Sequence, residues 1–599
     1  MDFNGRLTYT KSLRGKKAVQ SLDFTQSVET PDVMLAVNCA ALSGGSRIMV
    51  ILTPKTEIEI CECRLMTSER LEEENPIFLN GYQTWTDSRE TTLHESIPKL
   101  NKLLWPITHM YGDYSFYPYR RNKLQSWTYT YIRHSENQHI TLYGSLNEYT
   151  GYTAFEYDKI QKSLSVLKDC KGLVPQVGKP YGMFDIFTAY GEENEAFDCY
   201  FAAAEIPKPR VQPCTGWTSW YNYYTNVTQK DILENLNAFH SQNIPIDILQ
   251  IDDGYQQAVG DWLNINNKFP SGMRYLAQEI QKSGYKAGLW LAPLICEKTS
   301  RIYREHPDWV LGKAGFNPGW SGIFYVLDFY NEGVRDYLRD VFDTVLNQWN
   351  YDMVKLDFLY AAALIPRKDK TRGQVMYECM RFLRETAGDK IILGCGVPLG
   401  CSFGLVDYCR VSSDVALKWE DRLLAALHYR ERVSTSNALT STIGRRHLNG
   451  RAFYNDPDVF ILRNDSNQLS KDQRYTLFLI NRVLGGLVFT SDNIKEYSED
   501  QMKLYQTLFT LKDKVILRAE MGDLFQLVYT AGGKPFCLIS NLTAKNVETE
   551  APCTGMVQSA DEPNIKISKG QKLKLRPYQS VCIQTDYKRF SKISNIFID

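Results

Sequence analysis

The sequence carries no excess of charge of either sign: 69 Lys and Arg stand against 69 Asp and Glu. A nucleic-acid binder would normally show a basic surplus, so the balance argues against that class. Long apolar runs are missing too. FLYAAALIP (358–366) is among the longest such stretches, and it is too short to span a bilayer. The opening segment MDFNGRLTYTKSLRGKKAVQ has no apolar core of the kind a secretory signal needs. Histidine is scarce, with eight scattered residues, and none stands at metal-ligand spacing. The 14 Cys show no disulfide-framework pattern, and the one close pair, Cys61 and Cys63, sits in an alternating strand-like segment with no second pair nearby. Repeats, low-complexity tracts and a phosphate-binding loop are absent as well. Together these absences predict a reduced, cytoplasmic protein without metal, cofactor or membrane partner.

What is abundant is aromatic: 11 Trp, 37 Tyr and 27 Phe make 13% of the chain. Such residues build cores, and they are also what stacking on the apolar faces of sugars requires. Residues 1–205 read as β-rich. VMLAVNCAAL, SRIMVILT, IEICECRLM, KLQSWTYTYIRH, ITLYGSL and TAFEYD are short β-branched and aromatic runs broken by Gly, Asn and Asp. This predicts a large N-terminal β-sandwich. IPKPRVQP (206–213), with three prolines in eight residues, reads as a linker.

After it the grammar changes. Strand-like runs at 216–220, 246–253, 286–293, 353–360, 391–396, 408–414, 459–464 and 485–492 alternate with helical patterns such as VRDYLRDVFDTVLNQW (334–349). Eight such strands in about 300 residues predict a (β/α)8 TIM-type barrel over 206–518, one strand uncertain because YVLDF (325–329) is also strand-like. From 519 to 599 β patterning returns, predicting a small C-terminal β-sandwich.

In such a barrel the chemistry lies where strands end and loops begin. The polar residues there are Asp252, Asp253, Trp290, Lys355, Asp357, Cys395, Arg410 and Asp414. Carboxylates on several strand ends, without a metal cluster, point to acid/base or nucleophilic work on a neutral substrate. Lys355 and Asp357 face the same way along a strand, which suits an activated carboxylate and equally a structural ion pair. Asp252 and Asp253 converge only if the strand ends there, as Gly254 suggests; they then serve as acceptors for two hydroxyls or as a helix cap with a solvated neighbour. Arg410 and Asp414 alone are compatible with a simple salt bridge.

These residues lie in motifs: GWTSWYNYY (216–224), LQIDDGYQ (249–256), VGDW (259–262), GLWLAP (288–293), EHPDWV (305–310), KLDFLYA (355–361), LGCGVPLG (393–400) and DYCRVSSD (407–414), with YNDPD (454–458) and NGYQTWTD (80–87) beside them. In order and content they resemble glycoside hydrolase family thirty-six, the α-galactosidase (melibiase) family, particularly its shorter bacterial members. The resemblance runs over essentially the whole chain. It implies a retaining exo-α-galactosidase acting on melibiose- or raffinose-type oligosaccharides. An α-N-acetylgalactosaminidase, a raffinose-synthase-type transglycosylase and a non-catalytic carbohydrate-binding protein are the other readings. By resemblance, Asp357 is the nucleophile and Asp414 the acid/base. Asp252 and Asp253 hold the C4 and C6 hydroxyls, Lys355 and Arg410 grip the C3 and C2 side, and Trp290, Trp85 and Trp220 wall the pocket. Cys395 lies near C2 or is a packed thiol. Lys355 is expected to keep Asp357 ionised while Asp414 holds a proton. Where several relatives have Gly-Pro before the acid/base, this chain has Ser412 and Ser413, a departure near C2. The oligomeric state, a homo-oligomer included, is left open.

Overall fold

The structure is a computed structural model and describes residues 3–13, 16–97, 100–104, 121–367, 369–511, 513–560 and 565–585. Met1, Asp2 and the last fourteen residues, which belong to the outer ends of the expected sandwiches, lie outside the described residues.

The N-terminal part is built from two antiparallel sheets, of six and eight strands. Alternation along the strands turns one face of each sheet inward. Leu7, Ile60 and Leu65 of the first sheet meet Val50, Leu52 and Ile186 of the second in a shared core. The C-terminal part pairs a six-stranded antiparallel sheet with a two-stranded one, and Ile539, Val581 and Ile583 pack on Leu575 between them.

Between these parts lie nine parallel strands: β1 (Cys214–Thr218), β2 (Ile248–Ile251), β3 (Lys286–Leu291), β4 (Met353–Leu356), β5 (Ile391–Gly394), β6 (Tyr408–Arg410), β7 (Tyr454–Asp456), β8 (Val459–Phe460) and β9 (Leu487–Thr490). Neighbours pair in sequence from β1 to β7, β8 pairs with β9, and β9 returns to β1. β7 and β8 are one staved position, interrupted by Pro457 and Asp458. Pro457 has no N–H for the ladder and Asp458 has φ 73°, so the strand breaks there and the ring closes with eight staves, as the spacing predicts.

The helices between strands follow from amphipathic spacing and caps. Gln229–Ser241, between β1 and β2, buries Ile232, Leu236 and Phe239, a stripe at three- and four-residue intervals, and Thr228 with Asp231 forms a capping box at its start. Two departures from a regular barrel matter. No α-helix joins β5 to β6; a short turn at Leu399–Cys401 does, and the N-terminal part packs there, with Phe201 meeting Phe403 at 5.4 Å. After β3 the chain inserts a three-stranded antiparallel sheet, Ile295–Glu297, Val310–Asn317 and Gly322–Leu327. The strand-like YVLDF falls in that insertion rather than in the barrel. Among the described residues no helix is long and apolar enough to cross a membrane.

Candidate active site

β2 ends at Ile251, and Asp252 and Asp253 follow on the turn above it. Gly254, at φ 123°, lets the chain turn: a Cβ there would sit 2.8 Å from the Thr225 backbone oxygen. The Asp252 N–H donates to Ser219 Oγ at 2.9 Å and the Asp253 N–H to Asp252 Oδ1 at 2.9 Å, and both carboxylates are buried. Asp252 Oδ2 accepts from Lys355 Nζ at 2.9 Å and Gln250 Nε2 at 2.6 Å. Asp253 accepts from Gln256 Nε2 at 2.6 Å on Oδ1 and from Trp320 Nε1 at 2.8 Å on Oδ2. Burial raises the Asp253 carboxyl to about 6, with the two donors opposing and the charge of Asp252 adding. Neither Asp caps a helix.

Asp357 follows β4. Its Oδ1 accepts from the Phe358 N–H at 2.9 Å and its Oδ2 from Trp290 Nε1 at 3.1 Å, Trp290 standing on β3. Phe358 is left-handed, φ 54°, a conformation a bulky side chain rarely adopts and one that accumulates at functional sites. Burial lifts the Asp357 carboxyl above its ordinary range; Lys355 opposes this and Asp414 adds to it. The charge of Lys355 favours the ionised form of Asp357, but its direct hydrogen bond goes elsewhere. Two residues along a strand span about 6.6 Å, so Lys355 reaches across the barrel to Asp252 instead and only moderates Asp357 through its charge. Burial alone would lower the Lys355 ammonium, but Asp252 and then Asp357 outweigh it and keep it charged.

Cys395 lies at the end of β5, buried, its thiol pushed up by burial and accepting from Trp85 Nε1 at 3.4 Å. Trp85 comes from the N-terminal part and meets Phe358 edge-on at 5.1 Å. Close approach requires Gly396, φ 61°: a Cβ would lie 3.1 Å from the Trp85 ring.

Arg410 at the end of β6 meets three carboxylates: Asp414 Oδ1 at 2.6 Å, Asp456 Oδ2 at 3.1 Å and Asp458 Oδ1 at 2.9 Å. Burial raises Asp458 and Arg410 opposes it, while the hydroxyl of Tyr221 donates to its other oxygen. Arg410 is buried, but the Asp414 side chain is 36% exposed. Asp414 lines a cleft of about 610 Å³ with Trp220, Tyr221, Tyr224, Leu417 and Val433. Ser412 and Ser413 are buried, and their hydroxyls bond to Pro457 O at 3.4 Å and Asn437 Nδ2 at 3.0 Å.

The residues singled out in the sequence thus gather at one end of the barrel: Asp252, Asp253, Lys355, Trp290, Asp357, Cys395 and Trp85 through direct contacts or charge, Arg410 and Asp414 through their bond and the charge of Asp414 on Asp357, and Trp220 in the Asp414 cleft. Trp320, Gln256, Gln250, Asp456, Asp458 and Tyr221 were not foreseen as site residues. YNDPD held the signal for the two aspartates, since carboxylates facing a buried arginine flank its proline; Trp320, in an ordinary turn sequence, carried none.

The melibiase family model matches residues 212–381, the span that holds Asp252, Asp253, Trp290, Lys355 and Asp357. Over that span the chain is similar to the melibiase family. Alpha-galactosidase 1 of Pediococcus pentosaceus is 26% identical over 182 residues, 28% of this chain and 24% of that protein. Alpha-galactosidase 2 of the same organism is 31% identical over 125 residues, 20% of this chain and 17% of its own length. The chain thus aligns with about a quarter or less of these curated relatives. Among solved structures, the α-galactosidase of Thermus thermophilus in complex with p-nitrophenyl α-D-galactopyranoside superposes with a TM-score of 0.68 at 26% identity, over 85% of this chain and 98% of that one. Its complex with stachyose gives 0.66 at 27% identity, over 81% and 99%.

Proposed function

We propose that the protein is a retaining exo-α-galactosidase that removes terminal α-linked galactose from oligosaccharides of the melibiose and raffinose type. The observation that carries the reading is that Asp357 and Asp414 stand in different settings, with the charge of Asp414 reaching Asp357. Asp357 is buried with each oxygen aligned by an N–H donor; Asp414 is half-exposed on a cleft wall, held by Arg410. A retaining glycosidase needs one carboxylate against the anomeric carbon and a second at the leaving group, where water must later enter.

In this reading Asp357 attacks the anomeric carbon while Asp414 gives its proton to the departing oxygen, forming a galactosyl ester. Asp414 then takes a proton from the incoming water, which displaces Asp357 and releases galactose. Asp252 and Asp253 accept the hydroxyls at C4 and C6, and Lys355 supports Asp252. The C4 epimer, glucose, would leave the acceptor position meant for the axial hydroxyl unfilled in a buried site, which gives discrimination without bulk. Trp290, Trp85 and Trp220 offer the aromatic walls. Ser412 and Ser413, both bonded within the protein, give no reason to prefer a 2-acetamido sugar. We read the protein as cytoplasmic, a placement that suits its fourteen free cysteines. Three further divisions of the chain follow the same reading: a sandwich over 1–205, the catalytic barrel over 206–518 and a sandwich over 519–599.

Initial rates on nitrophenyl α-galactoside, β-galactoside, α-glucoside and α-N-acetylgalactosaminide test the reading. Turnover should be confined largely to the α-galactoside. Faster turnover of the α-N-acetylgalactosaminide, or none of any glycoside, would refute it.

A further inference from the structure

The sheet inserted after β3 ends in a hairpin whose tip, between Val310–Asn317 and Gly322–Leu327, carries Trp320. The tip is fixed rather than loose. The Gly319 N–H donates to Asn317 Oδ1 at 2.8 Å, and the Ser321 N–H to Glu297 Oε2 at 2.8 Å. Glu297 Oε1 accepts from the Val259 N–H at 3.0 Å, so one buried carboxylate ties the hairpin to the loop that follows Asp253. From this anchored tip the indole of Trp320 donates to Asp253 Oδ2 at 2.8 Å. Its ring lies 5.2 Å from Phe324, 5.2 Å from Phe358 and 6.4 Å from Trp290. The last two are the groups that donate to Asp357.

We propose that Trp320 is a positioning residue for sugar recognition: delivered by the inserted hairpin, it aims the Asp253 carboxylate at the hydroxyl edge of the galactose ring and so sets affinity rather than chemistry. The proposal rests on the α-galactosidase reading above. With Gln256 on Oδ1 and Trp320 on Oδ2, the carboxylate has both oxygens oriented before substrate arrives, each with a lone pair left for a hydroxyl. Both donors also favour the ionised form, against burial and against the charges of Asp252 and Glu297; Lys268 and Asp253 also feel each other's charge.

The test is the inhibition constant of galactose, with kcat and KM on p-nitrophenyl α-galactoside, for the full chain and its variants W320F, D253N and the double variant. Phenylalanine keeps most of the ring of a half-buried residue at a loop tip, and thermal melting checks that the fold is retained. W320F should weaken galactose binding about tenfold while kcat stays within about threefold, as expected for one lost bond to a charged acceptor. In the D253N background the same substitution should change affinity less than about twofold. The pH below which W320F loses affinity should also lie above that of the wild type, because the carboxylate has lost a donor. Unchanged affinity in W320F, or equal penalties in both backgrounds, would overturn the proposal. A wild-type protein that neither binds galactose nor cleaves the galactoside would overturn the α-galactosidase reading instead.

Discussion

Trp290→Phe isolates one bond at the reacting carboxylate. The indole donates to Asp357 Oδ2 at 3.1 Å, and phenylalanine fills most of the same space without the N–H. Asp357 already lies above its ordinary range because of burial and the charge of Asp414, against Lys355 and the indole bond. The attacking form is the anion, so deleting a donor to the anion raises the carboxyl further. A hydrogen bond to a charged group is worth about 1.5–3 kcal/mol, or about one to two pH units. Burial, Lys355 and Asp414 all outrank the indole here, which favours the lower end. The acid limb of kcat/KM on nitrophenyl α-galactoside, a free-enzyme property, should therefore move up by about one pH unit. Loss of stacking on the sugar would lower kcat/KM at every pH without sliding the limb. An acid limb that stays in place, or that moves to lower pH, would refute the role of Trp290 at Asp357.

Other outcomes follow from the same contacts. Asp357→Ala should abolish turnover with the fold intact, and azide, entering the vacated space, should restore it with β-galactosyl azide as product, detected by chromatography; more than a few per cent residual activity without azide would exclude Asp357 as nucleophile. Asp414→Ala should keep rapid glycosylation by dinitrophenyl galactoside, which needs little proton donation, but should cleave raffinose very slowly and show a pre-steady-state burst. Arg410→Met should leave Asp456 and Asp458 buried without their cation, costing about 3–5 kcal/mol of stability at neutral pH. That loss should shrink as pH falls, since Asp458, already raised by burial, takes up its proton readily; thermal melts from pH 8 to 5 would read the trend.

Much of this arrangement is legible in the sequence, and the parts that are not have physical reasons. Short, mostly apolar runs at 248–251, 286–291 and 353–356 mark barrel strands because strands covered on both faces are apolar. Residues at strand ends mark the site because the topology gathers those ends. The partner of Lys355 is not legible. Along the chain Asp357 is nearest, whereas inside a barrel side chains from alternate strands share a layer, which places Lys355 of β4 against Asp252 above β2. Trp320 is hidden for a related reason. GFNPGWSG reads as a turn, and only the anchoring of that turn by Glu297 brings its indole to Asp253. The YNDPD segment looks like one more strand; its proline breaks the strand and turns Asp458 toward Arg410.

The central claim is a double displacement by Asp357 with Asp414 as its partner, and the configuration of the first product tests it most directly. Proton NMR in the first minutes of hydrolysis, before mutarotation, distinguishes the anomers of galactose. Two inversions restore the starting configuration, so α-galactose should appear first and β-galactose only as it equilibrates. β-Galactose as the first product would show a single displacement by water and would contradict the roles assigned to Asp357 and Asp414 together.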